Sequence, residues 1–555
     1  MIVVVDQLRG DYLTRWSPLF VEDGFRLFLD RGAYFANASY SYGATATAAG
    51  HATIATGRLP RKHGIVANEW FVPGSKKAVK SATDTNSRLV GVASDDARTG
   101  LSAAALIGPT IGDQLKLADA RSRVISVGLK ERSAIFLGGK HPDGVYWWDT
   151  KTGCFITSTY YRDALPDAVR EMNEPSPADR FLGRAWEKLL SDEAYAGCYS
   201  LRSAWLPQYL PIGATFPHKL LAPAGKPDER FYDAVSTTPF GNDVILGMAR
   251  RLVEAERLGK GPACDLLMVA LSSNDIMGHL FGPESPEVLD MTVRTDRQLA
   301  EFFAWLDSFV GAERTLLVLT ADHGVTTIGS VARQLNLAGG RVELSKIVGE
   351  LNADLRKFIS DSRPVANERA PTLDETSGTT TTPPGTAESN RVESEASWTP
   401  VIGFNLPWVY FDQRVNELPV ADRQAVLVHA AAFLRRVDGI AEVFTESDLS
   451  EPSPSASDER RVRASRCFYP GRSGGLYVQL ERFWYVQGDE LAGHSVGTSY
   501  DRHVPIGFVG GGVRPGRYLM PVDPLDIAPS VAAILGIEPP DDGDGRVLYE
   551  MLPPY

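Results

Sequence analysis

The chain alternates short apolar runs with amphipathic stretches. Residues 2–5 read as a short buried strand, 24–31 as a helix, and 46–56, rich in Ala and Thr, as the start of another helix. Further along, 123–129 predicts a strand, 243–258 a helix by its apolar spacing, and 265–271 a strand after a Gly/Pro break. Residues 286–309 predict a long helix, 315–320 and 504–509 strands, and 525–535 a closing helix. Near-continuous apolar strands alternating with helices predict an α/β fold, with a parallel sheet covered on both faces.

One segment breaks the pattern. Residues 360–400 carry TSGTTTTPPGTAESN and almost no large apolar side chains, so they cannot bury enough surface to offset their ordering entropy. They read as a flexible insertion. Residues suited to chemistry lie on both sides of it, so 1–555 is expected to be one domain without internal repeats.

Composition narrows the choice. Apolar residues at 43% and charged residues at 23% are ordinary for a globular protein with a large core. A formal charge of −12 argues against nucleic acid as a specific partner and requires local cations for any anionic ligand. The four cysteines, Cys154, Cys198, Cys264 and Cys467, form no CxxC pair, which excludes a cysteine zinc module and leaves at most one or two bridges. No apolar run reaches the length of a membrane span. The opening Met-Ile-Val-Val-Val-Asp lacks the basic and long apolar regions of a signal peptide, and reads as a strand.

Three acidic motifs fall just after predicted strands: Asp6, Asp275 with His279, and Asp322 with His323. In an open parallel sheet, ligands bind beyond the carboxyl ends of the strands, so these residues are expected to meet in one crevice. Carboxylates and imidazoles without thiolates suit zinc or a similar divalent metal. Thr47 lies in TATAAGHATIATG, where small residues let a helix N-terminus face an anion. Thr45 and Thr47 would equally serve as helix caps. Lys130 and Arg132 are two apart after the strand at 123–129, so on extended backbone both point to one side.

The succession VVVDQ, TAAGHATIATG, HGIVANEW, LKER, NDIMGH, TADHG and AGHSVGTSYDRHVP resembles the phosphate-irrepressible alkaline phosphatases. These are monoesterases close to the nucleotide pyrophosphatase/phosphodiesterases within the alkaline phosphatase superfamily, and the motifs run from residue 2 to about 510. The resemblance implies a three-layer alkaline-phosphatase-like fold and two zinc ions. Asp275, His279 and His494 would hold one zinc; Asp6, Asp322 and His323 would hold the other, with the Thr47 oxygen as nucleophile and bridging ligand. His503 competes with His494 and Thr45 with Thr47. His51 and His63 read as structural, and His141, His218 and His429 match nothing catalytic. Asn68, Lys130 and Arg132 would bind the phosphoryl oxygens. Lys130 and Arg132 would also open a cap-like insertion over roughly 130–235.

The implied reaction is hydrolysis of small phosphate monoesters through a phosphothreonine, in a periplasmic or secreted enzyme. The related diesterases lack the Lys-x-Arg pair, and its presence here favours monoesters. A diesterase or nucleotide pyrophosphatase is the nearest alternative, with Trp70 and Phe71 as candidate walls for a second ester group. A non-catalytic phospholigand binder would lack a ligand or the nucleophile, and none is missing. A sulfatase would need a Cys/Ser-x-Pro-x-Arg element, absent around Thr47.

Overall fold

The computed structural model describes residues 1–553 except 73, 200–211, 223–224, 363–397, 451–457, 487 and 489. Most of the insertion expected at 360–400 therefore lies outside the described residues.

The first four residues after Met1 explain the architecture. In strand β1 (Ile2–Val5), Val3 and Val5 join one apolar cluster and Ile2 and Val4 another, so both faces of the strand are buried. The same holds for β2 (Val124–Gly128), β4 (Leu266–Leu271) and β5 (Leu317–Thr320), while β3 (Gly144–Asp149) completes a parallel core ordered β5-β1-β4-β2-β3. Strand β6 (Ile506–Val509) adds antiparallel to β5. Beyond it lie Ala33–Phe35 and Gly516–Tyr518; beyond β3 lie Cys154–Ser158, Thr83–Val90 and Thr99–Leu101, giving eleven strands.

Helices cover both faces. Helices α1 (Thr47–Thr56), α2 (Glu131–Gly138), α3 (Pro239–Ala255), α4 (Ser273–Phe281), α5 (Pro286–Phe309) and α6 (Ile527–Leu535), together with the short helix Phe25–Asp30, include the predicted ones, with ends shifted by a few residues. Apolar side chains of α3 and α5 pack with one face's cluster and those of α6 with the other. The three-layer fold is thus the expected one.

Two features differ from the sequence reading. Residues 401–480 carry a separate four-stranded antiparallel sheet, packed against helices Leu344–Ser362 and Val420–Leu434 around its own core. The stretch expected as a cap from about 130 opens instead with framework, since α2 and β3 belong to the central layers. Only after residue 158 do short elements take over, such as the ribbon of Ala185–Trp186 and His218–Lys219. All four cysteines are free, and among the described residues no helix is long and apolar enough to cross a membrane.

Candidate active site

Neighbouring parallel strands end level with one another: Val5 pairs with Leu271, Val4 with Thr320 and Ala270 with Gly128. The residues that follow these ends must therefore meet. Asp6 follows β1, Lys130 follows β2, Asp275 lies in the first turn of α4 after β4, and Asp322 with His323 follows β5. Two groups of potential metal ligands result, Asp275–His279–His494 and Asp6–Asp322–His323.

The imidazoles are held in one tautomer. Nδ1 of His279 lies 2.7 Å from the Ala492 carbonyl, that of His494 2.6 Å from Thr45, and that of His323 2.9 Å from Gly324. A carbonyl only accepts, so each Nδ1 carries a proton and each Nε2 faces the crevice. Burial keeps His323 and His494 neutral with a lone pair there, whereas Asp275, outweighing burial, holds His279 well above its usual value and protonated. His279 Nε2 stands 3.2 Å from Asp275, and His323 Nε2 is 3.3 Å from Asp322 and 3.5 Å from Asp6.

The charges of this crevice are unbalanced. Asp6, Asp275 and Asp322 are buried, and the Lys130 ammonium lies 2.8 Å from Asp6 and also contacts Asp275. Burial and the Asp6 charge hold the Asp322 carboxyl well above its usual range. Asp275, for all its burial, is held well below it by His279 and Lys130. Oδ1 of Asp6 and Oδ2 of Asp322 are buried without a hydrogen-bond partner. Unmet oxygens of Asp6 and Asp322 beside the His323 Nε2 lone pair are a donor set that divalent cations take. Asp275, His279 and His494 gather the same kinds of ligand atom, with the Lys130 ammonium and the His279 proton standing where a cation would replace them; the residues present fit metals at both groups.

Thr47 is the first residue of α1. Ala46, not a threonine, takes the cap position, and no side chain caps the helix, so capping does not explain Thr47 or Thr45. The Thr47 hydroxyl lies 3.4 Å from His323 Nε2. Asn68 accepts the Ala48 N–H at 2.9 Å through its carbonyl oxygen, which fixes the amide beside Thr47. Thr45 supports His494 instead: its carbonyl takes Nδ1, and its hydroxyl accepts the Ser495 N–H at 3.3 Å. His503 faces the Ala36 carbonyl and lies against Gly10, outside both ligand groups. His51 is buried beneath Thr47, with Nδ1 2.8 Å from its carbonyl.

A cleft of about 950 Å³ opens over Thr47, Asn68, Lys130, Arg132, Asp275, His279 and His494. Lys130 and Arg132 reach it by a different route from the expected strand. Strand β2 ends at Gly128, Lys130 keeps extended backbone as the cap of α2, and Arg132 is already helical. Trp70 is buried beneath Arg472 and Phe71 packs on Tyr410, so neither forms a wall of the cleft.

One contributor escaped the sequence reading. Gln7 is buried with φ 66°; its N–H donates to Asp322 at 3.1 Å and its Nε2 to Asp275 at 2.8 Å. It links the two ligand groups. A polar residue after a strand-end Asp carries no pattern that marks such a role.

Residues 1–490 match the family model described as type I phosphodiesterase/nucleotide pyrophosphatase. The chain belongs to that family. Alkaline phosphatase PhoV of Synechococcus elongatus is 30% identical over 99% of this chain and 92% of its own length. Alkaline phosphatase PafA of Elizabethkingia meningoseptica is 32% identical over 99% and 93%. The wild-type PafA crystal structure superposes with a TM-score of 0.84, at 29% identity, over 100% of this chain and 98% of that one. A second solved form of PafA carries substitutions at one threonine, one asparagine, one lysine and one arginine. As in these relatives, the family member described here is a phosphatase, an enzyme that hydrolyses phosphoesters.

Proposed function

We propose that this phosphatase hydrolyses phosphate monoesters through a phosphothreonine on Thr47, with two zinc ions bound at Asp275–His279–His494 and Asp6–Asp322–His323. The observation that carries the monoester reading is the Lys130–Arg132 pair in the cleft beside Thr47. A monoester brings a dianionic phosphoryl group, which two adjacent cations match better than the single charge of a diester. The residue types substituted in the PafA variant recur here as Thr47, Asn68, Lys130 and Arg132, at the same intervals along the chain.

In this reading the Thr47 oxygen attacks phosphorus in line with the departing ester oxygen. The Asn68 amide, whose carbonyl is engaged by Ala48, presents its NH₂ to an equatorial phosphoryl oxygen. Lys130 and Arg132 take the remaining charge, and water later releases phosphate from Thr47. Bound divalent metal supplies what the side chains lack, lowering the pKa of the attacking oxygen and neutralising the leaving one. An exported location, periplasmic or secreted, belongs to the same reading and rests on resemblance alone.

The test compares p-nitrophenyl phosphate with its bis-ester, with zinc supplied. Monoester turnover should dominate, and Lys130→Ala with Arg132→Ala should reduce it far more than diester turnover. Equal losses on both substrates would transfer the reading to the diesterases. Thr47→Ala should abolish turnover while the fold and metal content persist.

A further inference from the structure

A second groove, of about 1070 Å³, lies away from the catalytic cleft and shares no lining residue with it. Arg61, Arg463, Arg466 and Arg502 all line it, on a chain whose formal charge is −12. Among the described residues, only Arg463 of the four enters an ion pair, at 3.0 Å with the exposed Glu459. Arg466 and Arg502 each use one donor on a carbonyl, of Ser41 at 3.1 Å and of Tyr40 at 2.7 Å. The Nε–H groups of Arg463 and Arg502 are buried without an acceptor.

Beyond Glu459, the carboxylates on the wall do not relieve this. Asp523 accepts the N–H groups of Ser41 and Leu525, and Asp526 those of Asp523 and Arg546. Their oxygens are turned to backbone rather than to the arginines. Burial and the nearby Arg463 charge push the Arg502 guanidinium below its usual value. Four guanidiniums gathered with a single ion-paired carboxylate among them repel one another and leave donors unmet; a bound oxyanion removes both costs.

We infer that this groove binds a tetrahedral oxyanion, either inorganic phosphate or the phosphoryl group of a small organic phosphate, separately from the site of hydrolysis. The groove backs onto catalytic segments. Arg502 holds the Tyr40 carbonyl, and the Tyr40 hydroxyl donates at 2.9 Å to Ala321, the residue before Asp322. Asp501, next to Arg502, accepts the N–H groups of Ser495, Val496 and Gly497, which follow His494. An anion in the groove therefore braces the segments that lead to both ligand groups.

Equilibrium dialysis of radiolabelled inorganic phosphate against the zinc-loaded full chain tests this. The wild type should bind two phosphates per chain. Arg61→Ser combined with Arg466→Gln should bind one, with kcat/KM on p-nitrophenyl phosphate retained. A single phosphate on the wild type, or two on the variant with unchanged affinities, overturns the inference. Should the double variant lose activity, Arg61→Glu at an exposed position decides: one of the two affinities should fall roughly tenfold or more and the other stay. Two unchanged affinities would again overturn it. Displacement of the second label by phenylphosphonate at lower concentrations than by phosphate assigns the groove to organic phosphates; the reverse order assigns it to the free ion.

Discussion

Gly50, one turn into the helix Thr47–Thr56, lies so close to Asp322 that a β-carbon on it would stand 2.2 Å from the Asp322 carbonyl oxygen. The obstacle is backbone, so it cannot swing aside as the tip of a side chain would. Gly50→Ala should displace the helix that begins with Thr47 from the adjacent ligand group, and lower kcat/KM by roughly 100-fold. Circular dichroism with p-nitrophenyl phosphate kinetics checks this; a wild-type rate would mean that the close approach has no catalytic importance.

Lys130 is the ammonium between Asp6 and Asp275, and its nitrogen lies 2.8 Å from Asp6. Removing the cation from a buried carboxylate cluster should destabilise the metal-free chain by about 3 kcal/mol. Added zinc should restore most of that loss, because divalent charge replaces the ammonium. Denaturant melts of Lys130→Met in chelator and in zinc make the comparison. A loss of the same size in both conditions would show that Lys130 matters by packing.

Gln7 holds Asp275 and Asp322 at once from a backbone at φ 66°. Gly278 makes room for it, since a β-carbon there would lie 1.8 Å from the Gln7 amide oxygen. Gln7→Ala should weaken metal binding roughly 10- to 100-fold, as losses of outer hydrogen bonds to metal ligands do. Competition with a chromogenic chelator measures it. Wild-type affinity would reduce Gln7 to a filler of space.

Asp243, which belongs to neither ligand group, gives a pH-dependent stability. Burial raises its carboxyl to about 6, although Gln298 donates to it at 2.6 Å. A carboxyl whose pKa is higher when folded binds more protons in the folded state between the unfolded value of 3.8 and about 6, so stability falls as pH rises through that window. Asp243→Asn keeps an acceptor for Gln298 without the charge. It should raise stability by about 1–2 kcal/mol at pH 8, after allowance for partial solvent access, and by much less at pH 4. Equal gains at both pH values would place the effect elsewhere.

The alternation of apolar strands and helices disclosed the central sheet, because both faces of β1, β4 and β5 are buried and leave continuous apolar runs. Strand-end acids were legible for the same reason: Asp6, Asp275 and Asp322 stand where parallel strands stop. Thr47 was not legible locally, since its sequence also suits a cap; only the order of distant motifs distinguished it. Lys130 and Arg132 were read on extended backbone because nothing in LKER marks where strand gives way to helix. The small sheet at 401–480 was missed, as its pairings depend on contacts between segments far apart. Gln7 depends on a left-handed backbone that Gln rarely adopts, which composition cannot signal.

His494 comes from chain that follows the small sheet, whereas Asp275 and His279 stand on helix α4, which leaves the central one after β4. A cation shared by these three residues would rivet the stretch between the small sheet and β6 to the framework. Chelation should then open residues 490–500 to protease before the eleven strands give way. Retention of that ion would thereby report whether the stretch is seated.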